Sequence, residues 1–258
     1  MELELDGKAV LVTGGSDGLG RALCRRLVAE GAAVAFCGRD AERIEATTSE
    51  LVAVGGDVAG VIADVTKPQD IARFADTALE RWGRIDGVVN NAGQTAIKTL
   101  VETTDQDFDD DLSLKLYAAA RLCRLALPHL AQRGGSIVNV LATSAKTPPG
   151  GSMPTSVSRA AGMALTKALS KEVGPDNVRV NAVLIGMVES GQWERRAAAS
   201  GIPIEQLYQE MGKNSGIPLG RVGRSEEFAD LVAFLLSPRA GYVSGTAINL
   251  DGGLSAVV

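Results

Sequence analysis

A single histidine, His129, and three scattered cysteines, Cys24, Cys37 and Cys123, leave this chain short of the side chains on which several chemistries depend. One imidazole cannot build a multi-histidine metal cluster and offers only one candidate for a His-dependent catalytic triad, so no metal site is expected. Three widely spaced thiols suit buried free cysteines in a reducing compartment better than a disulfide framework. A basic surplus is also missing: 26 Lys and Arg stand against 31 Asp and Glu, a net charge of −5, which argues against nucleic acid as a partner. No apolar run approaches the roughly 18 residues that span a bilayer. The opening "MELELDGK" has neither the positive segment nor the apolar core of a secretory signal, so the expectation is a cytoplasmic protein with no membrane partner.

Hydrophobic residues make up 45% of the 258 positions, enough to bury a sizeable core within one domain spanning residues 1–258. Short β-rich apolar segments alternate with amphipathic ones. "KAVLVT" precedes a helix-like stretch from about Gly18 to Glu30, and "AAVAFC" precedes another from about Ala41 to Val54. "GVIAD", "QDIARFADTALERW", "IDGVVN", "LKLYAAARLCRLALPHL" and "GSIVNV" continue the series. This pattern predicts βαβ units: a Rossmann-like, doubly wound parallel sheet of about seven strands with helices on both faces. The rhythm breaks at Glu189 to Gly220, the candidate substrate lid, where Trp193 and Tyr208 are candidates for lining an apolar pocket or for ordinary packing.

"LVTGGSDGLGRAL" follows the first strand and opens the first helix. It sets Gly14, Gly18 and Gly20 where the backbone turns tightly and where a helix amino terminus offers N–H groups to a pyrophosphate. The spacing Thr-Gly-x-x-x-Gly-x-Gly resembles that of the short-chain dehydrogenase/reductase family. "ADVT" at Asp64, "NNAG" from Asn90 to Gly93, "VRVNAV" from Val178 and "YVSGTAINLDGG" from Tyr242 match further landmarks of that family along essentially the whole chain. The resemblance implies dinucleotide contacts at Gly14, Ser16, Asp17, Gly18, Leu19, Gly20, Asp64, Val65, Asn91, Ala92, Gly93, Arg159 and Gly186. At the end of the second strand, Gly38 stands where an NAD enzyme would carry an acid for the ribose 2′-hydroxyl. Arg39 follows, able to take a 2′-phosphate, and the reading is NADP(H). Asp40 is the residue that would speak against it.

In the family, a Ser, a Tyr thirteen residues later and a Lys four further on form the active site, with an Asn on the preceding long helix. The spacing is kept here and the residues are not: Ala142, Thr155, Arg159 and Lys115 occupy the four positions. A threonine hydroxyl is too weak an acid to replace a phenol, whose pKa is about 10. Arg159 can still hold the nicotinamide ribose but does not release a proton. Thr143 and Ser144 follow Ala142 and are candidates to turn a hydroxyl inward, or to bond local backbone. Lys115, close to Arg159 and partly desolvated, is the candidate acid or clamp facing substrate; a lysine snorkelling to solvent is the alternative.

These residues lead to an NADP(H)-dependent reductase of a small carbonyl or conjugated enone or enoyl substrate, working without the tyrosine acid. "NVLAT" also looks like the dienoyl-CoA reductases of the same family. The alternative is a catalytically silent NADP(H)-binding protein serving as partner subunit or sensor; a lyase or dehalogenase ranks third. The resemblance further implies a homodimer or homotetramer packed through "AAARLCRLAL" and "AAGMALTKAL", although packing within one chain accounts for both segments as well.

Overall fold

Runs such as "AVLVT" are apolar at consecutive positions, so a strand made from them must bury both faces. In the computed structural model, which describes residues 2–258, they do. Seven strands form one parallel sheet: β1 (Ala9–Thr13), β2 (Ala33–Gly38), β3 (Val58–Ile62), β4 (Gly87–Asn90), β6 (Gly135–Ala142), β8 (Val178–Ile185) and β9 (Ala247–Leu250), in the order β3-β2-β1-β4-β6-β8-β9. Two short antiparallel strands, β5 (Ile97–Lys98) and β7 (Met153–Pro154), stand apart from it.

The two-residue period of a strand sorts its side chains into two cores. Val10 and Val12 pack with α1 (Gly18–Ala29), α2 (Ala41–Ala53) and α9 (Ser225–Leu236), while Leu11 packs with α3 (Pro68–Trp82), α5 (Ala118–Leu130) and α6 (Thr155–Glu172). Phe36 and Phe228 anchor the first core and Phe74 the second, all fully buried. Truncating any of them to alanine costs about 3–5 kcal/mol. The architecture is the expected doubly wound Rossmann-like α/β domain. Helices α1 and α2 each end one residue before the expected boundary, because Glu30 and Val54 leave helical geometry with ψ of 7° and 14°.

Strand β1 is flanked by β2 on one side and β4 on the other, each reached by a crossover of opposite direction. Such a switch point opens a crevice at the carboxyl ends of the strands, where ligands of this architecture sit. The segment from 189 to 220 forms two helices, α7 (Gly191–Ser200) and α8 (Ile204–Asn214), joined through Gly201 in the left-handed region at φ 66°. Between α4 (Asp105–Leu112) and α5 the chain makes one π turn, Ser113–Tyr117, which the sequence pattern does not announce.

Candidate active site

The crevice begins at the glycine loop. Gly14 and Gly18 adopt φ of 66° and 46°, and a Cβ on Gly20 would lie 2.1 Å from the Gly14 carbonyl oxygen, so only glycine allows the loop to fold on itself. No side chain caps the amino terminus of α1, which leaves its N–H groups available to an anion. Thr13 Oγ1 accepts from the N–H groups of Asn91 and Ala92, both at 3.0 Å, and the Asn91 side-chain amide donates to the Thr13 and Gly14 carbonyls. The Asn91 amide therefore braces the glycine loop. Leu19 and Val65 are buried, and Gly186, the residue after β8, donates its N–H to the Leu250 carbonyl at 3.0 Å.

At the rim, Arg39 is exposed and makes no ion pair among the described residues. Asp40 caps α2, accepting from the Arg43 N–H at 3.1 Å, and is thereby spent on the helix. Ser16 packs against Gly38, where a Cβ would meet its hydroxyl at 2.6 Å. Burial works to raise the Asp64 carboxyl, but the Thr66 N–H and hydroxyl and the nearby Arg39 hold it below its usual range. Asp17 carries two arginines, Arg43 at 3.0 Å and Arg195 of α7 at 2.6 Å. Neither of these partners is evident from the sequence.

Beyond β6 the structure gathers three of the four substituted positions into one buried cluster. Lys115 Nζ donates to Asp111 Oδ1 at 2.5 Å and to Thr155 Oγ1 at 3.1 Å. The β5–β7 pairing brings the Ala96 N–H to Thr155 Oγ1 at 2.9 Å, and Ser158 donates to the second Asp111 oxygen at 2.6 Å. Arg159 Nη1 donates to the Val140 carbonyl at 2.6 Å, Nη2 lies against Gly93, and Nε is buried with no partner. Desolvation, reinforced by the Arg159 charge, pulls Lys115 down to about 8 against the opposing pull of Asp111. Arg159 falls to about 10, also by burial. Lys115 does not snorkel: its side chain is 2% exposed. Its neighbour, the Thr155 hydroxyl, belongs to a residue that is buried as well.

Ala142, Thr143 and Ser144 are half-buried in the turn that leaves β6, and neither hydroxyl donates a hydrogen bond among the described residues. Asp111 and Ser158 are the residues that sequence reasoning missed. The signal for Asp111 was its place four residues before Lys115, on one helical face. In the 189–220 segment, Tyr208 lines an open cavity of 530 Å³ with Glu189, Lys213, Arg221 and Arg224, its hydroxyl buried and unpartnered. Trp193 is not in that wall; Arg196 sits over its ring at 5.6 Å. No helix among the described residues is long and apolar enough to cross a membrane.

Residues 14–255 match the profile of a family described as Enoyl-(Acyl carrier protein) reductase. A 3-oxoacyl-(acyl-carrier-protein) reductase FabG of Thermotoga maritima is 32% identical over 98% of this chain and 99% of its own length. The chain belongs to the short-chain dehydrogenase/reductase family. Two solved structures of the family are close to it in shape. A short chain oxidoreductase from Pseudomonas aeruginosa PAO1, described as containing an atypical catalytic center and bound to NADPH, has a TM-score of 0.91 and 38% identity over 97% of this chain and 98% of that one. The L-sorbose reductase of Gluconobacter frateurii, complexed with NADPH and L-sorbose, has a TM-score of 0.94 and 29% identity over the whole of both chains. Membership in a family of oxidoreductases accounts for the glycine loop, the sheet order and the spacing of the catalytic frame together.

Proposed function

We propose that this chain is an NADP(H)-dependent reductase of a small carbonyl or a conjugated enone or enoyl substrate, with Lys115 supplying the proton in place of the family's tyrosine. The observation that carries the reading is the buried cluster of Lys115, Asp111, Thr155 and Arg159 on the family's catalytic frame. The residues present fit the cofactor. The Gly14–Gly20 loop has room for backbone alone, α1 keeps its first N–H groups free, Arg39 has no internal partner, and Arg159 Nε is an orphaned buried donor. NADPH in the P. aeruginosa and G. frateurii structures supports the same choice.

When bound, the cofactor supplies the hydride. Arg39 takes the 2′-phosphate through a charge-assisted contact, and Arg159 positions the nicotinamide ribose hydroxyls as a permanent donor. Lys115 holds a proton whose affinity is matched to neutral pH, as a general acid requires. A conjugated substrate relaxes the demand on that acid, because an enolate is more easily protonated than an alkoxide. The name of the family profile supports an enoyl substrate, and that of the T. maritima relative supports a 3-oxoacyl one. Assembly is as a homodimer or homotetramer through α5 and α6, where Tyr117, Leu125 and Val157 stay exposed.

The test is NADPH binding by titration, followed by NADPH oxidation against ketones, quinones and enoyl thioesters. Turnover on at least one class is expected, and Lys115→Met should lower it about 10²-fold with NADPH affinity unchanged. Tight NADPH binding without turnover on the whole panel leaves a silent binder instead.

A further inference from the structure

We propose that Thr155 is the group that hands the proton to the substrate, and that Lys115 reloads it from behind while Asp111 and Ser158 hold the ammonium in line. The proposal rests on the reductase reading above and adds the route of the proton. A hydroxyl has one hydrogen and two lone pairs. Thr155 Oγ1 spends both acceptor sites inside the protein, on the Lys115 ammonium at 3.1 Å and on the Ala96 N–H at 2.9 Å. Its own hydrogen has no acceptor among the described residues, and it is the one unspent bond of this oxygen. Two donors polarise the oxygen, one of them charged, so the remaining O–H is a stronger donor than that of a free threonine.

Lys115 is placed as the reservoir. Its side chain is 2% exposed and its Nζ donates to Thr155 Oγ1, so in the proposed relay its proton leaves through that hydroxyl. Asp111 from α4 and Arg159 from α6 are the charged groups that face it. The Asp111 carboxylate is itself pinned, one oxygen by Lys115 and the other by the Ser158 hydroxyl at 2.6 Å, so it cannot swing away. Asp111 and Ser158 touch no substrate and act as positioning residues.

The step balances. As the carbonyl carbon of the substrate takes the hydride, the C4–H bond of the reduced nicotinamide breaks; the cofactor is oxidised and the substrate reduced by the same two electrons. The substrate oxygen bonds to the Thr155 hydrogen, Thr155 Oγ1 bonds to a hydrogen from Lys115, and the Nζ–H bond breaks to leave a neutral amine. Loss and gain at Oγ1 are concerted, so no free threonine alkoxide forms. Water returns the proton to Lys115 before the next turnover.

The experiment compares Thr155→Val, Thr155→Ser, Lys115→Met and the double variant Lys115→Met/Thr155→Val, with NADPH affinity of each as the check on folding. Thr155→Val should lose about 10²-fold in turnover, Thr155→Ser should stay within about threefold of wild type, and the double variant should be no worse than either single one, as expected of groups acting as a unit. The falling limb of the rate profile near pH 8 should vanish in Thr155→Val. In cofactor-free protein, NMR of the Lys115 side-chain nitrogen should show a lower titration point in Thr155→Val, because an acceptor for the charged form is gone. An active wild type with Thr155→Val equally active and Lys115→Met crippled overturns the relay alone, since the lysine then donates directly. A wild type that binds NADPH and reduces nothing overturns the reductase reading and the relay with it.

Discussion

At the carboxyl ends of β1 and β2 the protein presents mostly backbone to a ligand, whereas beyond β6 it presents side chains, and the two regions have diverged to different degrees. The glycine loop keeps its family's spacing because the requirement is steric. Gly20 faces the Gly14 carbonyl at a distance no Cβ tolerates, and the α1 amino terminus works through N–H groups that every residue carries. The catalytic frame has kept its backbone while exchanging its chemistry. β6 ends at Ala142 and α6 starts at Thr155, and in the proposed mechanism the ionisable acid sits on the preceding helix, braced by Asp111. A site made of backbone geometry depends on shape alone; in the proposed mechanism the site made of side chains takes its proton from another element of the same frame.

The comparison breaks most severely at Gly20. Gly20→Val forces a side chain into the Gly14 carbonyl and the Asn91 amide, and a destabilisation of about 3 kcal/mol or more is expected, read as a fall in the denaturation midpoint with loss of NADPH binding. A variant that binds NADPH like wild type would remove steric necessity as the reason for this glycine. On the catalytic side, Asp111→Asn removes a charge that holds the Lys115 proton on. The lysine is already held at about 8, so its titration should move lower still, and reductive turnover, which needs the protonated form, should fall off at a lower pH than in wild type. The loss should be about tenfold at pH 8, measured as the rate profile of reduction. An unmoved limb would detach Asp111 from the chemistry.

Smaller effects sharpen the contrast. Arg39→Ala should erase a preference for NADPH over NADH of about tenfold and leave NADH affinity in place, as titration with both cofactors will show. Equal affinities in wild type would return cofactor choice to other residues at that rim. Smallest of all is Arg195→Ala, which cuts the exposed link between α7 and Asp17 at the glycine loop. Exposed ion pairs contribute about 0–1 kcal/mol, so NADPH affinity should change by less than about fivefold, and less again in high salt.

Much of this was legible before any coordinates. The strand and helix alternation gave the sheet, and helices α1 and α2 fell within a residue of their expected ends. The count that assigns Lys115 to the asparagine position runs into a π turn, which leaves separation along the chain unchanged but alters the rotation. What that count could not supply was direction. The π turn shifts the angle at which Lys115 leaves its helix, and π turns of this kind are frequent at functional sites. Among three consecutive aspartates, Asp109, Asp110 and Asp111, only the last is buried, and its four-residue spacing to Lys115 is the one local mark that sets it apart.

The sequence by itself determined the apolar strands, the glycine spacing, the placing of Arg39 directly after Gly38 and the absence of the usual serine, tyrosine and lysine, because each depends on residue type and separation along the chain. Only the tertiary structure decided that Lys115 is buried, that Asp111 rather than solvent receives its charge, and that Thr155 carries two donated hydrogen bonds and keeps its own hydrogen free. The physical reason is that these contacts join α4, the loop before β5 and the start of α6, segments up to 59 residues apart. Their meeting is set by the small β5–β7 pairing and by helix packing, neither of which a local pattern encodes.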